Sequence, residues 1–75
     1  MPPLPVISGR EAVRALQKAG WLIARRESSH IILIKTGVPV NLSVPDHRTL
    51  DRGLLRKLFR AAELSVEEFL LLLDD

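Results

Sequence analysis

The hydrophobic period of this chain changes twice, from about 3.6 residues to 2 and back, and that alternation restricts the fold more than any other feature. Ala12, Val13, Leu16 and Ala19 recur at helical spacing, the stretch 21–44 is rich in β-branched residues, and Leu54, Leu55, Leu58, Phe59 and Ala62 return to helical spacing. Ser8 and Glu11 form an S-x-x-E capping box ahead of the first helical pattern, and Gly20 supplies its C-cap. Asp51 can cap the second helix, and Ser65 with Glu68 opens a short third one. Between them "WLIARRE", "HIILIKT" and "PVNLSV" read as strands, with Thr36-Gly37 as the hairpin turn between the second and third. The order α-β-β-β-α-α predicts an α+β fold, a three-stranded antiparallel sheet with helices on one face and the other face left for function.

A chain of 75 residues has room for one domain, residues 1–75, and a core this small supplies only about 3–5 kcal/mol of net stability. A partner that covers further apolar surface would therefore stabilise it. The absence of cysteine removes disulfides, thiolate catalysis and a cysteine zinc site together. The opening "MPPLPVISGRE" has early prolines and no basic segment, so it does not read as a signal peptide. The longest apolar runs fall short of the roughly 18–20 residues of a membrane span. A soluble, cytoplasmic protein is expected.

The charge is unevenly distributed. Residues 1–60 hold all eleven Lys and Arg against Glu11, Glu27, Asp46 and Asp51, whereas residues 61–75 hold five acids and no base. A basic body is the electrostatic footprint of a polyanion-binding protein. Arg52, Arg56 and Arg60 recur every four residues on the polar face of the second helix, with Lys57 beside them, and form either a solvated face or a rail for phosphates. Trp21, Phe59 and Phe69 all fall at apolar-periodic positions, which leaves no stacking platform for single-stranded bases. Nucleic-acid recognition would rest on backbone and shape.

The stretch "RESSHIILIK" places His30 where the second strand begins, behind a Ser28-Ser29 turn. Strand alternation puts His30, Ile32 and Ile34 on one face and Ile31, Leu33 and Lys35 on the other. His30 either starts the strand with an ordinary hydrogen bond or carries chemistry. His47 is a loop residue before a helix or a candidate second acid or base. The two histidines stand far apart in sequence without metal-ligand spacing, so no metal site is expected. A nucleophilic set of Ser29, His47 and Asp46 lacks a nucleophile elbow.

Taken together, "LQKAGWLIARRESSHIILIK", "VNLSVPDH" and "LDRGLLRKLFRAAELSVEEFL" resemble the HicA (YcfA-like) toxins of toxin–antitoxin pairs. The resemblance spans roughly residues 8–72. It rests on Ala19-Gly20-Trp21, on Ser29-His30 where the family has G-S-H, on Val44-Pro45 with His47, and on Gly53-Leu54-Leu55-Arg56-Lys57-Leu58. It implies a double-stranded-RNA-binding-like fold and a metal-independent mRNA endoribonuclease, without cofactor, silenced by a HicB-like antitoxin, with His30 as the catalytic histidine. Ser28 stands where the family has glycine, and Glu63 where glycine is common at the end of the second helix. If those positions need positive φ, serine and glutamate adopt it at a cost.

On that reading His30 moves a proton, Ser28 and Ser29 hydrogen-bond a phosphate oxygen, and Arg25 and Arg26 balance charge at the phosphorus. Plain turn residues and solvated strand-edge arginines are the competing readings, and a non-catalytic RNA-binding module or a protein-interaction domain of the same fold remains an alternative function. In the last helix Val66, Phe69, Leu70 and Leu73 are expected to face the core, leaving Leu71 and Leu72 outside it. Ile31 with Leu33, or Leu71 with Leu72, is accordingly either a slightly apolar monomer surface or a contact patch for an antitoxin or a second copy of the chain.

Overall fold

The computed structural model describes residues 4–73; the prolines at positions 2 and 3 and the terminal Asp74 and Asp75 lie outside the described residues. Three helices and three strands follow the expected order: α1 Gly9–Lys18, β1 Leu22–Glu27, β2 His30–Ile34, β3 Leu42–Pro45, α2 Arg52–Ala62 and α3 Val66–Leu73. The strands form one antiparallel sheet in the order β1-β2-β3. Leu33, Leu42, Val44 and Ile31 from the sheet join Leu16, Leu55, Phe59 and Phe69 from the helices in one core cluster, so the helices cover one sheet face.

The helix ends are built as their residue types require. At α1 the Ser8 hydroxyl accepts from the Glu11 N–H at 3.1 Å and the Glu11 carboxylate accepts from the Ser8 N–H at 2.9 Å. Ser65 and Glu68 repeat this arrangement at α3. The Asp51 carboxylate accepts from Leu54 N–H at the start of α2. At the other end of α1, Trp21 N–H donates to Leu16 O and Gly20 N–H to Gln17 O. This pair of bonds is a Schellman motif, and it needs a left-handed residue, which Gly20 provides at φ 102°. The cap residue is therefore Ala19, with Gly20 one position beyond it.

Ser28 and Glu63, which replace expected glycines, are both left-handed at φ 58°. Ser28 is the first residue of the two-residue turn between Glu27 and His30, which pair across β1 and β2. A hairpin this tight requires positive φ there to match the strand twist. Glu63 ends α2 with the bonds that close α1: Leu64 N–H to Phe59 O and Glu63 N–H to Arg60 O.

Several expectations are corrected. Thr36-Gly37 does form a turn, closed by Val38 N–H to Lys35 O at 3.0 Å, but it lies within the longer segment 35–41 that joins β2 to β3; the tight two-residue hairpin is at Ser28-Ser29, and β3 covers Leu42–Pro45 rather than residues 39–44. Pro39 lacks the N–H that would extend the strand pairing. Ile31 (4% exposed) and Leu33 (fully buried) lie in the core, so they cannot form a partner patch. The helices cover the face that these two share with Leu42 and Val44, leaving Ile32 and Ile34 on the other. Leu72 is partly buried against the core together with Val66 and Leu73, while Leu70 takes no part in the cluster. Helix α3 packs on α1, and the side it turns to the core includes Leu72 and Leu73. Of the four proposed contact residues only Leu71, 73% exposed, remains on the surface.

Among the described residues no helix is long and apolar enough to cross a membrane.

Candidate functional site

One end of the sheet gathers the turn Ser28-Ser29, the start of β2 and the exit of β3. His30 is the register partner of Glu27 on one side and of Pro45 on the other. Its neighbour Ile31 enters the core, so alternation sends the His30 side chain to the face that the helices leave bare, and the residue is exposed. Asp46 N–H donates to Ser29 O at 2.7 Å, fastening the β3 exit to the turn. The next residue, His47, is also exposed, and its carbonyl accepts the Gly9 N–H at 2.9 Å. That donor is one of those an α-helix leaves unsatisfied at its start. The fold thus brings both histidines to the same end of the sheet.

The Asp46 carboxylate joins two arginines from different elements. Arg26 Nη2 donates to it at 2.8 Å and Arg10 Nε at 3.2 Å. Its side chain is only 16% exposed, whereas those of Arg26 and Arg10 are 53% and 78% exposed. The hydrogen bonds from Arg26 and then Arg10 hold the Asp46 carboxyl below the ordinary carboxylate range. One acid against two guanidiniums leaves net positive charge, and each guanidinium keeps further donors for an anion.

Arg25 and Arg26, read together from the sequence, separate onto two faces. Arg26 pairs with Ile31, a core-facing residue, while Arg25 pairs with Ile32. Cross-strand partners project on the same side of a sheet, so Arg25 shares the face of His30 and Glu27. Arg25 Nε donates to Glu27 Oε2.

Arg52, Arg56, Lys57 and Arg60 are all exposed on α2, and the arginine stripe runs about 12 Å from end to end at 1.5 Å per residue. It belongs to the helix layer, so the structure does not bring it onto the His30 face. Its first member, Arg52, follows closely on the loop that carries His47. At the opposite end of the sheet from His30, a surface concavity of about 420 Å³ is lined by Trp21, Lys35, Val38, Val40, Arg60 and Glu63 among others. Among the described residues the buried Trp21 indole N–H has no hydrogen-bond partner. Among the described residues no group of three or more His, Asp or Glu side chains could hold a metal ion.

Arg10 and Glu27 are not singled out in the sequence, and Asp46 enters there only in a nucleophilic set with Ser29 and His47. Arg10 carried a signal, because a cation in the first turn of a helix opposes the macrodipole and calls for a local acid. The partner is 36 residues away, which only the fold reveals.

These features define an α+β domain of the double-stranded-RNA-binding type, with an exposed histidine and an arginine cluster at one end of its sheet. The family model described as HicA toxin of bacterial toxin-antitoxin matches residues 9–64, and the chain belongs to the HicA toxin family. Membership supports a toxin role and implies an antitoxin partner. No protein with a curated description matches the chain significantly.

Proposed function

We propose that this chain is a metal-independent endoribonuclease acting on mRNA, neutralised by a HicB-like antitoxin. The observation that carries the reading is the position of His30: exposed, fixed by strand pairing on both sides, with Arg25 on its own face and the Arg10–Asp46–Arg26 cluster at the same sheet end. RNA needs no metal to be cut, since its 2′-hydroxyl can attack the adjacent phosphorus and leave a 2′,3′-cyclic phosphate and a 5′-hydroxyl. The protein has to move protons and balance charge. Histidine suits the first task, with an unperturbed pKa of about 6.5. The arginines suit the second, because a guanidinium stabilises the charge that builds up on the phosphorane. Ser28 and Ser29, exposed in the turn, offer hydroxyls to a phosphate oxygen.

Purified protein incubated with mRNA and a chelator tests this reading. Cleavage should persist in chelator, and His30→Ala should lower its rate by roughly 10²–10⁴-fold with an unchanged circular dichroism spectrum, because an exposed ring adds little to packing. A wild-type protein that leaves RNA intact, or a His30→Ala variant as fast as wild type, refutes it.

A further inference from the structure

We propose that Glu27 is the second proton-transfer group of this site, the base that takes the proton of the attacking 2′-hydroxyl while His30 gives a proton to the leaving oxygen. This rests on the ribonuclease reading and extends it to a residue that the sequence did not single out.

One side chain cannot serve both ends of the reaction in a single displacement. As the O2′–phosphorus bond forms, the 2′-hydroxyl loses a proton; as the phosphorus–O5′ bond breaks, the 5′-oxygen needs one. Two groups on one face, a short distance apart, meet this requirement. Glu27 and His30 flank the two-residue turn and are register partners. Opposed residues of an antiparallel pair have Cβ atoms about 4.5–5.5 Å apart on the same side of the sheet. Both residues are exposed.

The assignment of roles follows from Arg25. Its Nε donates to Glu27 Oε2, so the carboxylate is already engaged as an acceptor beside a fixed cation, the arrangement of a proton acceptor rather than a donor. His30 is then the donor. After the step Glu27 holds the proton from O2′, His30 is neutral, and exchange with water restores both. Arg25 also offsets the repulsion between carboxylate and phosphate, and a guanidinium has further N–H groups to offer the phosphorane oxygens.

His47 is the competing second group. It sits in a loop beyond the last strand pair, whereas Glu27 is held in register with His30. The charged groups around Glu27 are Arg25 on its own strand and His30 on β2, the strand paired with it; Arg10, Arg26, Asp46 and His47 lie at the same sheet end. The competing account of Glu27 is an ordinary surface ion pair that keeps an exposed edge strand from pairing with other chains. The two accounts differ in what removal of the carboxylate does.

Single-turnover cleavage of an RNA oligonucleotide, measured across pH, and binding of the same oligonucleotide with 2′-O-methyl groups separate them, using the full chain. Glu27→Gln should slow cleavage by about 10²-fold or more, flatten the acidic limb of the rate profile, and leave affinity for the methylated RNA unchanged or tighter. Glu27→Asp should recover part of the rate. A Glu27→Gln protein that binds more tightly and cuts as fast as wild type, with its acidic limb intact, overturns the proposal. If His30→Ala is inactive in the same assay, that result leaves the ribonuclease reading standing. A wild-type chain that does not cut overturns both.

Discussion

Gly9 lies so close to Pro45 that a Cβ built on it would stand 1.9 Å from the Pro45 carbonyl oxygen. The obstacle is backbone and cannot rotate away. This contact, with the bonds Gly9 N–H to His47 O and Leu50 N–H to Ile7 O, holds the loop that carries Asp46 and His47 against the start of α1. Gly→Ala in a helix normally stabilises by up to about 1 kcal/mol. Here the sign should reverse: Gly9→Ala should cost about 1–3 kcal/mol through overpacking, read as a lower urea midpoint.

Ser28 and Glu63 store strain at opposite ends of the sheet, each at φ 58°. Left-handed backbone costs an L-residue about 1–2 kcal/mol, and glycine avoids it at some loss of entropy. Ser28→Gly and Glu63→Gly should each raise stability by about 0.5–1 kcal/mol, or roughly 4–8 °C per kcal/mol for a domain of this size. Their effects should add, since the sites share no partner. Thermal unfolding of the two variants and their combination is the check.

The Asp46 carboxyl is held below its ordinary range by the hydrogen bonds from Arg26 and Arg10. A lowered folded pKa means that its contribution to stability is complete above the unfolded value, about 3.9, and is lost as pH falls through the folded one. Asp46→Asn should therefore be less stable than wild type at neutral pH, and the difference should vanish in acid. Glu68, lowered by its bonds to the Ser65 backbone and hydroxyl, titrates with the same sign. Urea midpoints at several pH values between neutral and strongly acidic would show the two curves converging.

Arg52, Arg56 and Arg60 are exposed along one helix and should bind phosphates rather than bases. Removing all three should weaken RNA binding evenly across sequences. The slope of log affinity against log salt should fall by up to about 2, at roughly 0.7 per phosphate contact on a single strand. Filter binding at graded salt concentrations measures it.

Leu71 and Leu72 are neighbours with different surroundings. Leu71→Asp should change stability by less than about 0.5 kcal/mol, whereas Leu72→Asp, placed against the core, should cost on the order of 2 kcal/mol. If α3 contacts an antitoxin or a second copy of the chain, Leu71→Asp should abolish that association while the monomer stays folded. Sedimentation of the free chain and of its mixture with antitoxin measures this.

The elements were legible in the sequence because each is signalled locally. The capping residues Ser8, Asp51 and Ser65 lie within three residues of the groups they bond, and the period of the apolar residues changes where helices give way to strands. The position of His30 at a strand start was legible for the same reason. Which face of β2 became core was not: Ile31, Ile32, Leu33 and Ile34 are all apolar, so alternation gives two faces of equal character and only the placement of the helices breaks the tie. The pairing of Arg10 with Asp46, the separation of Arg25 from Arg26 and the juxtaposition of Glu27 with His30 likewise depend on how distant segments meet or on register. Local sequence determined the elements and their order, and tertiary packing decided which of their side chains share a face.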